Sequence, residues 1–197
     1  KKNYENVNFS DYKGIIFTSS NSIKFLDSKE LDKKINCFCV GNATEKRALK
    51  AGFSNVFSAD GNVTNLKELI LQNFNPAEGK LLYVSGEVIS SNLDQDLISE
   101  GYNIKRIINY IARPVEKIND EFIEKLKLKM PEIVFIYSQN SAINFLNIIK
   151  NHGLNNLWKD TNLMCLGEKT SSILNEIKWK KIFLFNPGEE EFLLYKI

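Results

Sequence analysis

Histidine is nearly missing from this sequence, since His152 is the only one in 197 residues. A Ser-His-Asp triad and a histidine-rich metal site each need an imidazole among its partners, but this residue precedes Gly153 at a predicted helix end. The glycine patterns that cradle nucleotides, G-x-x-x-x-G-K-[S/T] and G-x-G-x-x-G, do not occur. We therefore expect neither histidine-based catalysis nor a metal, and no cofactor.

Cysteine is also scarce. The three cysteines, Cys37, Cys39 and Cys165, lie in apolar runs typical of buried strands, without C-x-x-C or Cys/His spacing. They are predicted to be small core residues. No stretch approaches the length of a membrane span and no signal peptide is visible. We expect a cytoplasmic protein with no membrane partner.

An excess of charge of one sign is lacking as well. Lysine and arginine number 26 against 24 aspartate and glutamate residues, which leaves a net charge of +2 at pH 7. Without a block of like charges, this balance predicts no nucleic-acid partner, and an anionic ligand would have to be held by local groups. Hydrophobic residues make up 43% of the chain, which suits the core of one large or two small domains.

What the sequence does contain is an internal repeat. Ile15–Leu26 matches Val134–Leu146, and each copy reads as an apolar strand, a polar turn and an amphipathic helix. Behind each copy a second element repeats, because Cys37–Leu49 matches Met164–Leu174. Repetition on this scale indicates two related α/β units.

The βα rhythm predicts two flavodoxin-like, doubly wound parallel-sheet domains, at 1–111 and 117–197, joined by an extended linker at 112–116. A final helix is predicted at Glu189–Ile197. The first half offers five strands and the second only three, so we expect an upstream strand–helix–strand to complete the second domain. The predicted strands are Gly14–Phe17, Asn36–Val40, Val56–Ser58, Lys80–Val84, Ile104–Ile111, Glu132–Tyr137, Asn162–Leu166 and Lys181–Phe185.

Polar turns follow most of these strands. Helix capping alone explains serine, threonine and asparagine there, and Asn42 with Glu45 fits a capping signature. Taken together, however, such turns on one sheet edge would line a cleft shared by both domains with neutral donors for a multiply anionic ligand. The candidate binding residues are Thr18, Ser19, Ser20, Asn21, Asn42, Ala43, Thr44, Asn62, Ser85, Gly86, Ser138, Gln139, Asn140, Lys169 and Thr170.

An ordered set of short motifs resembles the uroporphyrinogen-III synthase family. The set runs IIFTSSNSIKFL, CVGNATEKRALKAGF, LYVSGE, Asn109-Tyr110 followed by Arg113-Pro114, IYSQNSAINF and CLGEKTSSIL. Its order and spacing match across nearly the whole chain. The departure is at the N-terminus, where family members begin with a strand, helix and strand that have no counterpart here.

The resemblance implies a cofactor-free, monomeric lyase of haem biosynthesis. Its substrate would be hydroxymethylbilane, a linear tetrapyrrole with eight carboxylates, which loses water and closes with inversion of the last ring through a spiro intermediate. The family's tyrosine, thought to assist departure of the hydroxyl, matches Tyr110. The residues alone leave open that Tyr110 only packs at a strand end, and that the protein is a non-catalytic, two-lobed module for a small anion.

Overall fold

The computed structural model describes residues 7–27, 31–186, 189, 193 and 195. The chain forms two compact units, one ending at Ala112 and the other beginning at Arg113. The first contains strands β1 Tyr12–Phe17, β2 Asn36–Val40, β3 Val56–Ala59, β4 Lys80–Gly86 and β5 Ile104–Tyr110. Its helices are α1 Ser20–Lys24, α2 Asn42–Lys50, α3 Val63–Asn73 and α4 Leu93–Ser99.

The first unit is a parallel sheet with helices on both faces. Ile15 and Phe17 of β1 pack in one apolar cluster with α1 and α2, which contribute Ile23 and Ala48. Ile16, between them in the sequence, packs in a second cluster with residues of α3 and α4. Because successive strand residues point to opposite faces, only a strand that is apolar throughout can fill both cores.

The strand order is β3-β2-β1-β4-β5. The flavodoxin order is 2-1-3-4-5, so the doubly wound parallel architecture agrees with the prediction while the flavodoxin-like strand order does not. The chain builds outward through β2 and β3 and then returns to place β4 on the other side of β1. The two most buried strands, β1 and β4, thereby become neighbours at the sheet centre.

The second unit contains a parallel sheet of three strands in the order β6-β7-β8, as the sequence predicted for this half. Phe145, Trp158 and Trp179 form an aromatic group beside the sheet, with ring centroids 5.0 to 6.0 Å apart. The final helix predicted from Glu189 onward lies almost entirely outside the described residues. The elements are β6 Ile133–Ile136, β7 Asn162–Leu166, β8 Lys181–Phe185, α5 Asp120–Leu128, α6 Gln139–Asn151 and α7 Glu168–Ser171.

Two boundary predictions that bear on binding are corrected. Asn42 does not cap α2: Gly41 is the N-cap at φ +76°, no side chain bonds there, and Asn42 is the first helical residue. A positive φ favours glycine, which explains why it precedes the helix. The fourth strand extends beyond Val84 through Ser85 to Gly86, so two residues predicted in a turn lie in the sheet.

The repeat is visible in the backbone. Gly167 precedes α7 at φ +75°, almost the angle of Gly41 before α2. Thr44 and Thr170, which follow at equivalent positions, are both buried. Among the described residues, no helix combines the length and apolar character needed to cross a membrane.

Candidate functional site

The strand order places a topological switch point between β1 and β4, where connections leave the sheet in opposite directions. In open α/β sheets, ligands bind beyond the carboxyl ends of the strands at such a point. Thr18 directly follows β1, and its Oγ1 lies 3.1 Å from the hydroxyl of Tyr83 in β4. Burial raises the pKa of Tyr83, and the hydrogen bond to Thr18 partly opposes that rise. The Thr18–Tyr83 pair is therefore uncharged and hydrogen-bonded, and it joins the two strands that flank the switch point.

A β-bulge at the end of β5 sets the position of Tyr110. Ser85 pairs with Ile108 and Gly86 pairs with Tyr110, so the pairing skips Asn109. Asn109 Nδ2 donates to the Ser22 carbonyl of α1 at 2.6 Å.

The Tyr110 ring lies 6.1 Å from the Phe25 ring, and Phe25 is the residue at which α1 ends. Consecutive side chains of a regular strand point to opposite faces, so Asn109 and Tyr110 reach the same helix because of the bulge.

Gly86 supports the Tyr110 ring. A Cβ atom at Gly86 would lie 2.7 Å from Tyr110 Cζ and 3.0 Å from its hydroxyl oxygen, closer than side chains tolerate. The backbone N–H of Glu87 donates to the Tyr110 carbonyl at 3.1 Å. Tyr110 is half-buried. The absence of a side chain at Gly86 thus allows the phenol ring to lie directly against the strand.

The hydroxyl of Ser85, one of the predicted binding residues, is engaged in hydrogen bonds within the protein. Its side chain is buried, donates to the Gly86 carbonyl at 3.0 Å and accepts from Arg106 Nε at 2.8 Å. Arg106 also donates through one terminal nitrogen to the carbonyls of Gly86 and Glu87, each at 2.9 Å. Sequence reasoning missed Arg106, although an arginine within the predicted strand IKRIINY was a signal that could have identified it.

The remaining candidate residues of the first unit divide between capping and exposure. Ser19 caps α1 by accepting from the Asn21 N–H, and Asn62 caps α3 by accepting from two backbone N–H groups. The side chains of Ser19 and Asn62 therefore act as helix caps, as the capping explanation predicted. The Ser20 carbonyl accepts from Arg47 at 3.5 Å. Asn21, Asn42 and Ala43 are exposed, whereas Thr44 is buried.

The second unit shows the same division. Ser138 caps α6, accepting from the Ser141 N–H at 3.1 Å, while Gln139 and Asn140 are exposed in the first helical turn. Lys169 is exposed and Thr170 is buried.

Within the first unit, the structure brings Thr18, Gly86 and Tyr110 to the ends of the three adjacent strands β1, β4 and β5. Asn42 and Asn62 instead follow the ends of β2 and β3, which lie farther along the same edge of the sheet.

The family model described as uroporphyrinogen-III synthase HemD matches residues 1–184. A crystal structure of uroporphyrinogen-III synthetase from Helicobacter pylori aligns with a TM-score of 0.69 at 19% identity, covering 100% of this chain and 89% of that one.

A mutant uroporphyrinogen III synthase from the extremely thermophilic bacterium Thermus thermophilus aligns with a TM-score of 0.52 at 16% identity, covering 93% of this chain and 77% of that one. At 19% and 16% identity, these two structural matches show a similar fold. No curated protein matches the chain.

Proposed function

The chain belongs to the uroporphyrinogen-III synthase family, and we propose that Tyr110, at the carboxyl edge of the five-stranded sheet, takes part in the family's reaction. The chain is a lyase that closes hydroxymethylbilane to uroporphyrinogen III, with loss of water and inversion of the last ring, in haem biosynthesis. The alternative of a non-catalytic anion-binding module is not favoured by the match.

The observation that carries the role of Tyr110 is the bulge at Asn109, which turns the phenol onto Gly86 beside the switch point. The reaction begins when the terminal hydroxymethyl carbon loses its oxygen, while the pyrrole nitrogen supplies electrons to that carbon. The phenol O–H donates a hydrogen bond to the departing oxygen. A phenol O–H is a weak acid compared with a carboxylic acid, so hydrogen bonding contributes more here than full proton transfer.

Folding the substrate is the larger task of the protein. The linear tetrapyrrole ionises readily and closes without inversion when it is free, so the enzyme must hold one geometry and exclude the other. Helix N-termini carry unpaired N–H groups and a partial positive charge that suit carboxylates. We assign this holding role to the exposed first turns after β2 and β6, at Asn42, Ala43, Gln139 and Asn140, with Lys169 as an exposed cation.

The Thr18–Tyr83 pair also contributes to holding the substrate. Both hydroxyls already share one hydrogen bond at 3.1 Å, so each retains capacity for a second partner. Thr18 is half-buried at the end of β1, and when Tyr83 donates to Thr18 the Thr18 hydroxyl is free to donate a hydrogen bond to a carboxylate oxygen. The bond to Tyr83 holds the Thr18 side chain in one rotamer before substrate arrives.

We further propose that 1–111 and 117–197 act as two domains with 112–116 as the linker between them. Every residue from Ile111 to Lys117 is exposed, which is typical of a linker. The three buried free thiols suit a reducing compartment, and we place the enzyme in the cytoplasm as a monomer.

The deciding experiment incubates the protein with hydroxymethylbilane and separates the oxidised products by chromatography. An enzyme of this family gives the type III isomer, whereas a protein that only binds the substrate leaves it to close as the uninverted type I isomer. Formation of type I alone, at the rate of a protein-free control, would overturn the proposal. Sedimentation at several protein concentrations tests whether the protein is a monomer.

A further inference from the structure

Arg106 makes a three-point contact with the end of β4. Its acceptors are the Ser85 hydroxyl at 2.8 Å and the Gly86 and Glu87 carbonyls at 2.9 Å, which belong to three consecutive residues. In the part of the chain that the structure describes, no ion pair joins this arginine to a carboxylate. Hydrogen bonds from a cationic donor are roughly twice as strong as neutral ones, so the guanidinium fixes this segment firmly.

The backbone from Ser85 to Glu87 also contacts Tyr110. The ring rests against Gly86, and the Glu87 N–H donates to the Tyr110 carbonyl. Ser85 lies two residues beyond Tyr83 and therefore on the face that packs against α3 and α4, whereas the Tyr110 ring lies on the α1 face. Arg106 and Tyr110 thus contact the same backbone, at Gly86 and Glu87, from opposite faces of the sheet.

We propose that Arg106 is a positioning residue, which holds Gly86 and Glu87 so that the Tyr110 phenol keeps its place at the switch point. This inference rests on the role of Tyr110 proposed above. Arg106 reaches no part of the phenol itself, and its effect on the reaction passes through the backbone at the end of β4.

Lysine cannot replace arginine in this arrangement. The guanidinium is a planar fork whose Nε and terminal nitrogen meet acceptors at fixed separations, while an ammonium group is a point donor on a flexible stem. The neighbouring Lys105 offers a matched control, because its side chain is exposed on the same strand. Removing its charge alters the strand's electrostatics without touching the end of β4.

The experiment compares Arg106→Lys with Lys105→Gln, each alone and with Tyr110→Phe, by the kcat and KM of type III formation. A displacement of about 1 Å in a reacting group costs up to about 100-fold, so we expect Arg106→Lys to lower kcat about tenfold with KM within about twofold. In the Tyr110→Phe background the same change should lower kcat by less than about twofold, because residues acting as a unit are non-additive. Lys105→Gln should leave kcat unchanged.

Amide hydrogen exchange at Glu87 reads the positioning without any turnover. Its N–H bonds to the Tyr110 carbonyl, so releasing the segment should speed its exchange at least about tenfold in Arg106→Lys and leave it unchanged in Lys105→Gln. If Tyr110→Phe proves fully active, the proposed chemical role of Tyr110 fails, while this exchange rate still decides the positioning role. Should Arg106→Lys fold poorly, Arg106→Gln, which keeps one amide donor, takes its place in both measurements.

Three results would overturn the inference. Unchanged exchange at Glu87 would show that other contacts hold the segment. Fully additive losses of kcat would show that Arg106 acts independently of Tyr110. A raised KM with normal kcat would make Arg106 a direct ligand of a substrate carboxylate.

Discussion

Replacing Gly86 with alanine tests whether the place of the Tyr110 ring matters. The added Cβ would lie 2.7, 2.9 and 3.0 Å from Tyr110 Cζ, Cε2 and hydroxyl oxygen. Carbon atoms pack at about 3.5 to 4.0 Å, so the ring must retreat by about 1 Å. The Gly86 backbone itself is compatible with alanine, since its φ lies outside the left-handed region. The steric contact with the ring is therefore the main perturbation.

Catalysis should suffer more than stability. Misplacing a reacting group by about 1 Å costs up to about 100-fold, and we expect Gly86→Ala to lower the kcat of type III formation about ten- to hundredfold. Overpacking costs about 1 to 3 kcal/mol in a closed core, and the half-buried Tyr110 ring can swing outward, so we expect about 1 kcal/mol. For a chain of this size that is a fall of about 2 to 4 °C in melting temperature.

The control is the same substitution in a Tyr110→Ala background, where the added Cβ meets no ring. There Gly86→Ala should cause no further loss of kcat and no further fall in melting temperature. An equal loss of stability in both backgrounds would refute the contact as its cause. A Gly86→Ala enzyme with normal kcat, despite a displaced ring in its crystal structure, would show that the position of Tyr110 is immaterial to the reaction.

Three further outcomes are expected. Tyr110→Phe should lower kcat about ten- to hundredfold at unchanged melting temperature, whereas Tyr110→Ala should also destabilise the protein; type III formation by the Phe variant within about twofold of wild type would remove the phenol from the mechanism. Burial raises the pKa of Tyr83, so the folded state keeps a proton that the unfolded state loses near pH 10, and stability should fall as the pH rises from about 10 through the higher folded-state pKa. Burial also raises the pKa values of Tyr12 and Tyr102, so Tyr83→Phe should remove one part of the late ionisation seen in absorbance at 295 nm, and a wild-type-minus-variant difference curve centred at pH 10 would contradict this. Burial raises the pKa of Cys165 to about 11, so its thiol should resist a disulfide reagent at pH 8 until the protein unfolds; rapid native labelling of Cys165, shown by mass spectrometry, would refute it.

Local sequence determined the elements of this protein. The strands Asn36–Val40, Asn162–Leu166 and Lys181–Phe185 have the predicted bounds, because each is an apolar run that begins at a polar residue and ends before a glycine or an asparagine. Asn119 caps α5 by accepting from the Glu121 N–H, an arrangement that needs only an oxygen two or three residues before its donor. The count of five and three strands follows from the same local signals.

Tertiary structure alone decided which strands are neighbours and what the strand ends do. Period-two and capping signals carry no information about register, so nothing local revealed the pairing that skips Asn109 and turns Tyr110 toward α1. Ser85 looked like a turn donor, but its partner Arg106 lies 21 residues away and meets it only once β5 pairs with β4. The polar groups at the switch point acquire their roles from contacts between distant parts of the chain, and those contacts depend on the strand order.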